Sequence, residues 1–481
     1  MVIIGKKVKG ICMWKTFVLM TIVFTTVISG MLFWQWKAYS KQNDPINEVF
    51  EKAVQEITVK SKENKLHVTQ RIHGLTKDME YTVIKPDSLY GWSCKNIHNE
   101  PCDSKDENPE TFLPIENELI FEYIIPIEAK EQAFLLNEWT TVIPNVKISS
   151  TSIIIVDSYR RGGTWVAGTK IKGFKEMDII DYYYFEGVGA APSLYWQLEP
   201  LLVGDELSKI HLYNSLKKPE ININKIPDLT EFPYVSIVFT DLIAEQSGNG
   251  IIISNPNIAG DAFIRKLLTY YYEQKLNPSN KQKWITDVLT SISAQLQAET
   301  DKGKEVLEEM KKKLTEEELL SFIKLVSGSS EEITFQRLDQ FVTKVKGLNT
   351  RFFTINAKNT QISVPLMFYD TRKVIVNGIH HKELEILYDE GKSLFPFIET
   401  MKALGYEASK LEDGEKILVT KGKNTYRFFL NRNIFIYNED DYGLFEKPLT
   451  NINGQVYMNK QWLEKLFNIT IDNDHKISIS G

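Results

Sequence analysis

The stretch "GKSLFPFIETMKALG" at residues 391–405 and the stretch "GQVYMNKQWLEKLFN" at residues 454–468 align without a gap. Each reads as a turn glycine, a short apolar strand and an amphipathic helix, and each is followed by a further strand run, Ile417 to Thr420 in the first and Lys476 to Ser480 in the second. One strand-helix-strand unit cannot bury both of its faces, whereas two packed together share a core. The pair therefore reads as a tandem repeat, which makes residues 351–481 a domain of their own.

Helical periodicity precedes this domain. Segments 260–276, 280–298, 302–314, 315–327 and 331–346 follow one another, with a capping box at Thr315 and Glu318 and a stop at Gly328. Glu308/Lys312 and Glu309/Lys313 form i,i+4 pairs on a solvated face. Residues 205–350 are expected to form a mainly helical domain. Residues 49–204 instead alternate polar and apolar in runs such as "KLHVTQRIHGL", "NELIFEYIIPI" and "VKISSTSIIIVDS", broken by Gly, Pro and Asn. That pattern predicts a β-sandwich. The expected class is multidomain α+β: an N-terminal transmembrane helix, a β-sandwich, a helical domain and a C-terminal strand-helix-strand tandem repeat.

Composition limits the functions open to the chain. Its 481 residues are 43% hydrophobic, enough for several cores. A net charge of −6 offers no basic field for nucleic acid, which is excluded as a partner. Lys6, Lys7, Lys9 and Lys15 lie in a basic segment, 1–15, before the uncharged run "TFVLMTIVFTTVISGMLFWQW" at 16–36. At about 1.5 Å per residue the run spans roughly 30 Å of hydrocarbon. The lysines place the amino terminus in the cytoplasm, and residues 37–48 read as a polar linker to an extracytoplasmic bulk, with the lipid bilayer as one partner. A secreted chain, cleaved after the Ala38-x-Ser40 pattern, is the alternative. Of the three cysteines, Cys94 and Cys102 lie in the polar loop "WSCKNIHNEPCDS", and an oxidising exterior would join them. A metal site recruiting His98 would lack a fourth ligand.

The tandem repeat resembles the copper amine oxidase N-terminal-like domain, a stalk module of bacterial surface proteins, over roughly residues 370–481. The likeness rests on Gly391, Pro396, Ala403, Leu404 and Gly405 in the first copy and on Gly454, Tyr457 and Leu463 in the second. The second copy departs from the pattern at Asn459, where the module has Pro, and at Asn468, where it has Gly. The resemblance implies a surface role and neither copper nor quinone, since the chain shows no Asn-Tyr-acid precursor and no cluster of three histidines. No cofactor is expected.

The stretch "AFIRKLLTYYYEQKLNPSNKQKWITDVLTSI" at 262–292 carries a second resemblance. Residues 231–292 resemble the catalytic domain of the gluzincin aminopeptidases, in which His-Glu-x-x-His and a later Glu supply three zinc ligands and a base. Ile264, Arg265, Leu268 and Asp287 occupy those places here. Ile and Leu cannot ligate zinc and Arg cannot act as the base, so the resemblance implies a degenerate scaffold. It would hold an extended peptide, if at all, along an exposed strand expected at 248–254. Alternatively these are ordinary core helices, since Ile264, Leu267, Leu268 and Tyr271 fall at helical spacing.

Three weaker candidates remain. Arg160, Arg161 and Trp165 in "YRRGGTWVAG" could grip a carboxylate or a sugar, or form a tight hairpin with solvated arginines. "DYYYFEG" at 181–187 and "SLYWQ" at 193–197 could stack on glycan or fill the sandwich. The expected function is that of a single-pass, non-catalytic surface protein binding a cell-wall or surface protein or peptide. The alternative is an extracytoplasmic hydrolase with its site between the β and helical domains.

Overall fold

The computed structural model describes residues 51–77, 79–103, 110–207, 209–215, 232–359, 363–412 and 414–481. The expected anchor at 16–36 and its flanking segments lie outside the described residues. Among the described residues no helix is long and apolar enough to cross a membrane. The chain divides into two compact units, the described part of Met1–Ala129 with Glu138–Tyr159 and Ile171–Ala191, and Lys130–Asn137 with Arg160–Lys170 and Pro192–Gly481.

The first unit is built on a seven-stranded mixed sheet. Its order is Ile171–Glu176, Asp181–Val188, Val146–Asp157, Glu51–Lys62, Lys65–His73, Glu118–Pro126 and Tyr90–Lys95. Glu51–Lys62 pairs antiparallel with Lys65–His73 and parallel with Val146–Asp157. Along Glu51–Lys62 the side chains of Ala53, Gln55, Ile57, Val59 and Ser61 are buried and their neighbours more open, the period-2 signature seen in the sequence. The buried amides of Gln55 and Gln70 pair at 2.8 Å, and Gln70 also bonds the backbone of Thr141. The unit is β-rich as expected, but the two-sheet sandwich is corrected to one large sheet with a two-stranded ribbon of Tyr81–Thr82 and Thr111–Phe112. Alternation shows that a face is buried, not what covers it. Here Trp92 and Phe112 pack ring to ring, with Trp92 stacked on Phe121 of the sheet.

The second unit holds a sheet of which the mainly helical expectation for 205–350 included only a strand at 248–254. Leu202–Leu207, Ile210–Asn214, Val235–Phe239, Ile251–Ser254 and Gln246–Gly248 form a five-stranded sheet in that order, with the three central strands parallel. Those three are buried along their whole length. Strands covered on both faces lose alternation, so their short apolar runs look like helix segments. Ala133–Leu136, Leu194–Gln197 and Thr164–Ala167 make a small second sheet. Val238, Ile251 and Ile253 pack with Val166 and Tyr195 of that small sheet. Val235, Ile237 and Phe239 face the other way, into the helical core.

Six helices complete that core: α1 (Gly260–Lys275), α2 (Lys283–Ala294), α3 (Asp301–Lys313), α4 (Glu316–Ser327), α5 (Phe335–Lys346) and α6 (Phe352–Lys358). Thr300, Thr315 and Thr334 cap α3, α4 and α5 through their side chains, and the capping box of Thr315 and Glu318 is formed. Each such cap contributes about 1 kcal/mol. The cluster runs on through Phe352, Phe353, Leu366 and Phe368.

The repeat folds as one body. In copy one Lys392–Pro396 leads into α7 (Phe397–Ala403), and in copy two Gln455–Asn459 leads into α8 (Lys460–Phe467). The two strands pair antiparallel, Phe395 opposite Met458, so the copies meet back to back at the centre of a five-stranded sheet. Phe395, Met458, Phe397, Leu463 and Phe467 share one core. Both departures from the module's pattern are compatible with its geometry. Asn459 caps α8, its side chain accepting from the Trp462 N–H at 2.9 Å. Asn468 takes the left-handed conformation (φ 51°) that Gly405 takes in copy one (φ 83°), and Asn tolerates that region better than most residues.

Candidate functional site

α1 and α2 are neighbours, as the spacing of 262–292 predicts, and the four positions of interest fall on them. Ile264 and Leu268 are 1% and 0% exposed and belong to the helical core. They open onto no cleft. Arg265, on the adjacent flank of α1, reaches Asp287 on α2, with Nη1 3.0 Å from Oδ1. Its Nε pairs with Glu299 at 3.0 Å, and its Nη2 donates to the Gln297 carbonyl.

The Asp287 carboxylate is fully engaged. Oδ1 accepts from Arg265 and, at 3.4 Å, from Ser291. Oδ2 accepts from the backbone N–H of Glu299 (2.9 Å), the N–H of Thr300 (2.8 Å) and the Thr300 hydroxyl (2.8 Å). That hydroxyl in turn accepts from the Gly303 N–H at the start of α3. One carboxylate thus ties three helices together, with its negative charge at the amino end of α3, where the helix dipole favours it. With its lone pairs committed, Asp287 cannot ligate a metal or serve as a base without first breaking this set. Among the described residues no group of three or more His, Cys, Asp or Glu is placed to hold a metal ion.

The exposed strand expected at 248–254 is corrected. Ile251–Ser254 is buried, pairing on one side with Val235–Phe239 and on the other with Gln246–Gly248. On that side the short strand Gln246–Gly248 forms the edge of the sheet, with Leu202–Leu207 at the opposite edge. It is held in place from both ends. Glu245 accepts from the Asn255 N–H at 2.6 Å and pairs with Lys266 of α1 at 3.3 Å, and that N–H bond, foremost, holds its carboxyl below the usual range. At the other end the turn after Gly248 packs its backbone against Gly168 so closely that a Cβ on Gly250 would sit 2.6 Å from the Gly168 Cα.

Arg160 and Trp165 are buried, which corrects the hairpin of solvated arginines. The Arg160 guanidinium lies 4.7 Å from the Trp196 ring centre and 5.2 Å from that of Phe134, while Trp165 meets Phe134 edge-on at 5.7 Å. Arg161 is half-buried. "SLYWQ" is buried throughout Leu194–Gln197, and in "DYYYFEG" Tyr183 and Phe185 point inward while Tyr182 and Tyr184 stay half-open. Cys94 and Cys102 are joined by a disulfide, with Cα atoms 5.4 Å apart. Sequence reasoning missed Gln297, Glu299 and Thr300. The only available signal was a threonine just before a helix, which announces a cap but not the carboxylate it binds.

Comparison with known proteins agrees with the reading of the C-terminal repeat. Residues 375–479 match the family model of the copper amine oxidase N-terminal domain. No curated protein matches the chain. Among solved structures, the chain is similar to a mutant of the M1 zinc metallopeptidase of Deinococcus radiodurans at TM-score 0.42 and 8% identity, covering 66% of this chain and 95% of that one. The same enzyme bound to a Tyr-Ser-Ala substrate gives TM-score 0.43 and 9% identity over 66% and 95% of the two chains. A two-domain M1 zinc metallopeptidase mutant bound to L-arginine gives TM-score 0.41 and 7% identity over 62% and 91%. The chemistry open to the site is set by its own residues and not by these likenesses.

Proposed function

We propose that this chain is a membrane-anchored, extracytoplasmic surface protein that works by binding and assembly rather than by catalysis. One observation carries the non-catalytic part: a guanidinium occupies the place beside Asp287 that a catalytic cation would need, and the flanking positions are aliphatic and buried. A structural ion pair of this kind fixes helices and leaves no open coordination position. The anchor reading rests on the uncharged run at 16–36, and the Cys94–Cys102 bond supports an oxidising compartment. The partner would be a cell-wall or surface protein or peptide.

Purified fragment 41–481 tests the non-catalytic reading. Titrated with zinc, it should take up less than one equivalent, its melting temperature should ignore chelators, and peptide substrates should stay intact. One tightly held equivalent that is needed for peptide cleavage would overturn the reading. Topology is tested separately. Protease added to intact cells should remove everything beyond about residue 40 and leave a membrane-bound stub.

A further inference from the structure

The C-terminal module presents an open aromatic surface that takes no part in the Arg265–Asp287 site. Its antiparallel sheet runs in the order Glu407–Lys410, Lys416–Lys421, Asn424–Phe429, Ile434–Tyr437 and Asp440–Gly443. One face is buried: Ala408, Ile417, Val419, Phe428 and Phe435 belong to the module core, with Phe428 5.3 Å from Phe397 of α7 and 6.1 Å from Phe467 of α8. The register puts three tyrosines on that same face, because Tyr426 stands opposite Tyr437, and Tyr442 opposite Phe435.

Phe467 covers Tyr426, ring centre to ring centre 4.8 Å. Tyr437 is half-buried and Tyr442 is 42% exposed. The rings are held from behind. Tyr437 packs on Tyr426 at 4.7 Å, Tyr442 stacks on Phe435 at 5.2 Å, and the two open rings stand 6.4 Å apart. The Tyr437 hydroxyl donates to the Asn424 side chain at 3.1 Å. The rim is polar and acidic, with Asn438, Glu439 and Asp440 all exposed.

We infer that this tyrosine face binds a neutral glycan chain. Rigid rings offer flat apolar surface for the C–H faces of pyranose units at little entropic cost, and their hydroxyl edges stay polar. The rim amide and carboxylates accept hydrogen bonds from sugar hydroxyls. The acids also decide against other occupants. They repel an anionic polymer, and they place like charges on the edge strand Asp440–Gly443, which blocks addition of a second copy there. Every residue of this surface lies within the module, so it is independent of the anchor and of the Arg265–Asp287 site.

The test is retention of the full chain, in detergent, on an array of neutral, amino-sugar and uronic-acid glycans, with Tyr442→Ala and Tyr437→Ala beside the parent. The parent should bind neutral glycans, and each substitution should weaken binding by about tenfold. Tyr442→Ala should keep the parent's melting temperature, since that ring lies at the sheet edge, and Tyr184→Ala in the other unit should bind as the parent does. Should Tyr437→Ala fail to fold, Tyr442→Ala and Asp440→Asn still decide the matter. No retention on any neutral glycan, retention on uronic-acid glycans only, or binding indifferent to Tyr442→Ala would overturn the inference.

Discussion

Replacing Arg265 by alanine removes the cation from a carboxylate that cannot readily rehydrate. The side chains of Arg265 and Asp287 are 16% and 9% exposed, so the pair is largely buried. Breaking such a pair by removing one partner costs about 3–5 kcal/mol when the remaining charge is uncompensated. Compensation here is partial, because Oδ2 keeps its three donors from Glu299 and Thr300 while Oδ1 keeps only the long bond from Ser291. The second ion pair, to Glu299, adds at most a few tenths, because that side chain is 71% exposed. The expected loss for Arg265→Ala is therefore about 2–4 kcal/mol. Asp287→Ala should lose at least as much, since it removes a partner of the guanidinium and strands two backbone N–H groups together. Urea unfolding of fragment 41–481 gives the magnitude, and hydrogen exchange at the Glu299 and Thr300 amides gives the location. The two substitutions should couple by about 1–3 kcal/mol in a double-mutant cycle. A loss below about 0.5 kcal/mol for Arg265→Ala, the range of an ordinary surface substitution, would refute the claim that this pair is a structural tie.

Other outcomes are expected from the same geometry. Gly303→Ala, which in an open helix would gain about 1 kcal/mol, should instead lose about 1–3 kcal/mol because its Cβ would lie 2.6 Å from Asp287 Oδ2; equal or higher melting temperature would contradict this. In the repeat, Asn459→Ala should cost about 1 kcal/mol through the lost cap, and Asn468→Gly should be neutral or stabilising where Asn468→Ala is not, all read by thermal melting. Burial pushes the Asp370 carboxyl up, but side-chain and backbone hydrogen bonds from Arg372 outweigh it and leave it below the usual aspartate value of 3.8. A carboxyl depressed in the folded state contributes stability that is present above the unfolded value and lost as pH falls through the folded one. Asp370→Asn should flatten that acid limb of melting temperature against pH; an unchanged limb would assign it to other groups.

The sequence by itself determined what local pattern can determine. Strand-helix succession and turn glycines marked the repeat, and the Thr315/Glu318 capping box marked the start of α4, because these features depend on residues a few positions apart. It also settled that the side chains of Ile264 and Leu268 cannot ligate zinc, since they lack donor atoms wherever they are placed. Three further matters were decided only by tertiary structure. The buried parallel strands between 210 and 254 carry no alternation to read, because both of their faces are covered by parts of the chain remote in sequence. Arg160 is buried over Phe134 and Trp196 because strands far apart in the chain form one small sheet, where its own segment reads as a ligand grip or a hairpin of solvated arginines. The fate of Asp287 depended on Arg265 from α1 and on Glu299 and Thr300 from the segment that leads into α3, and no spacing rule along one chain encodes where these meet α2.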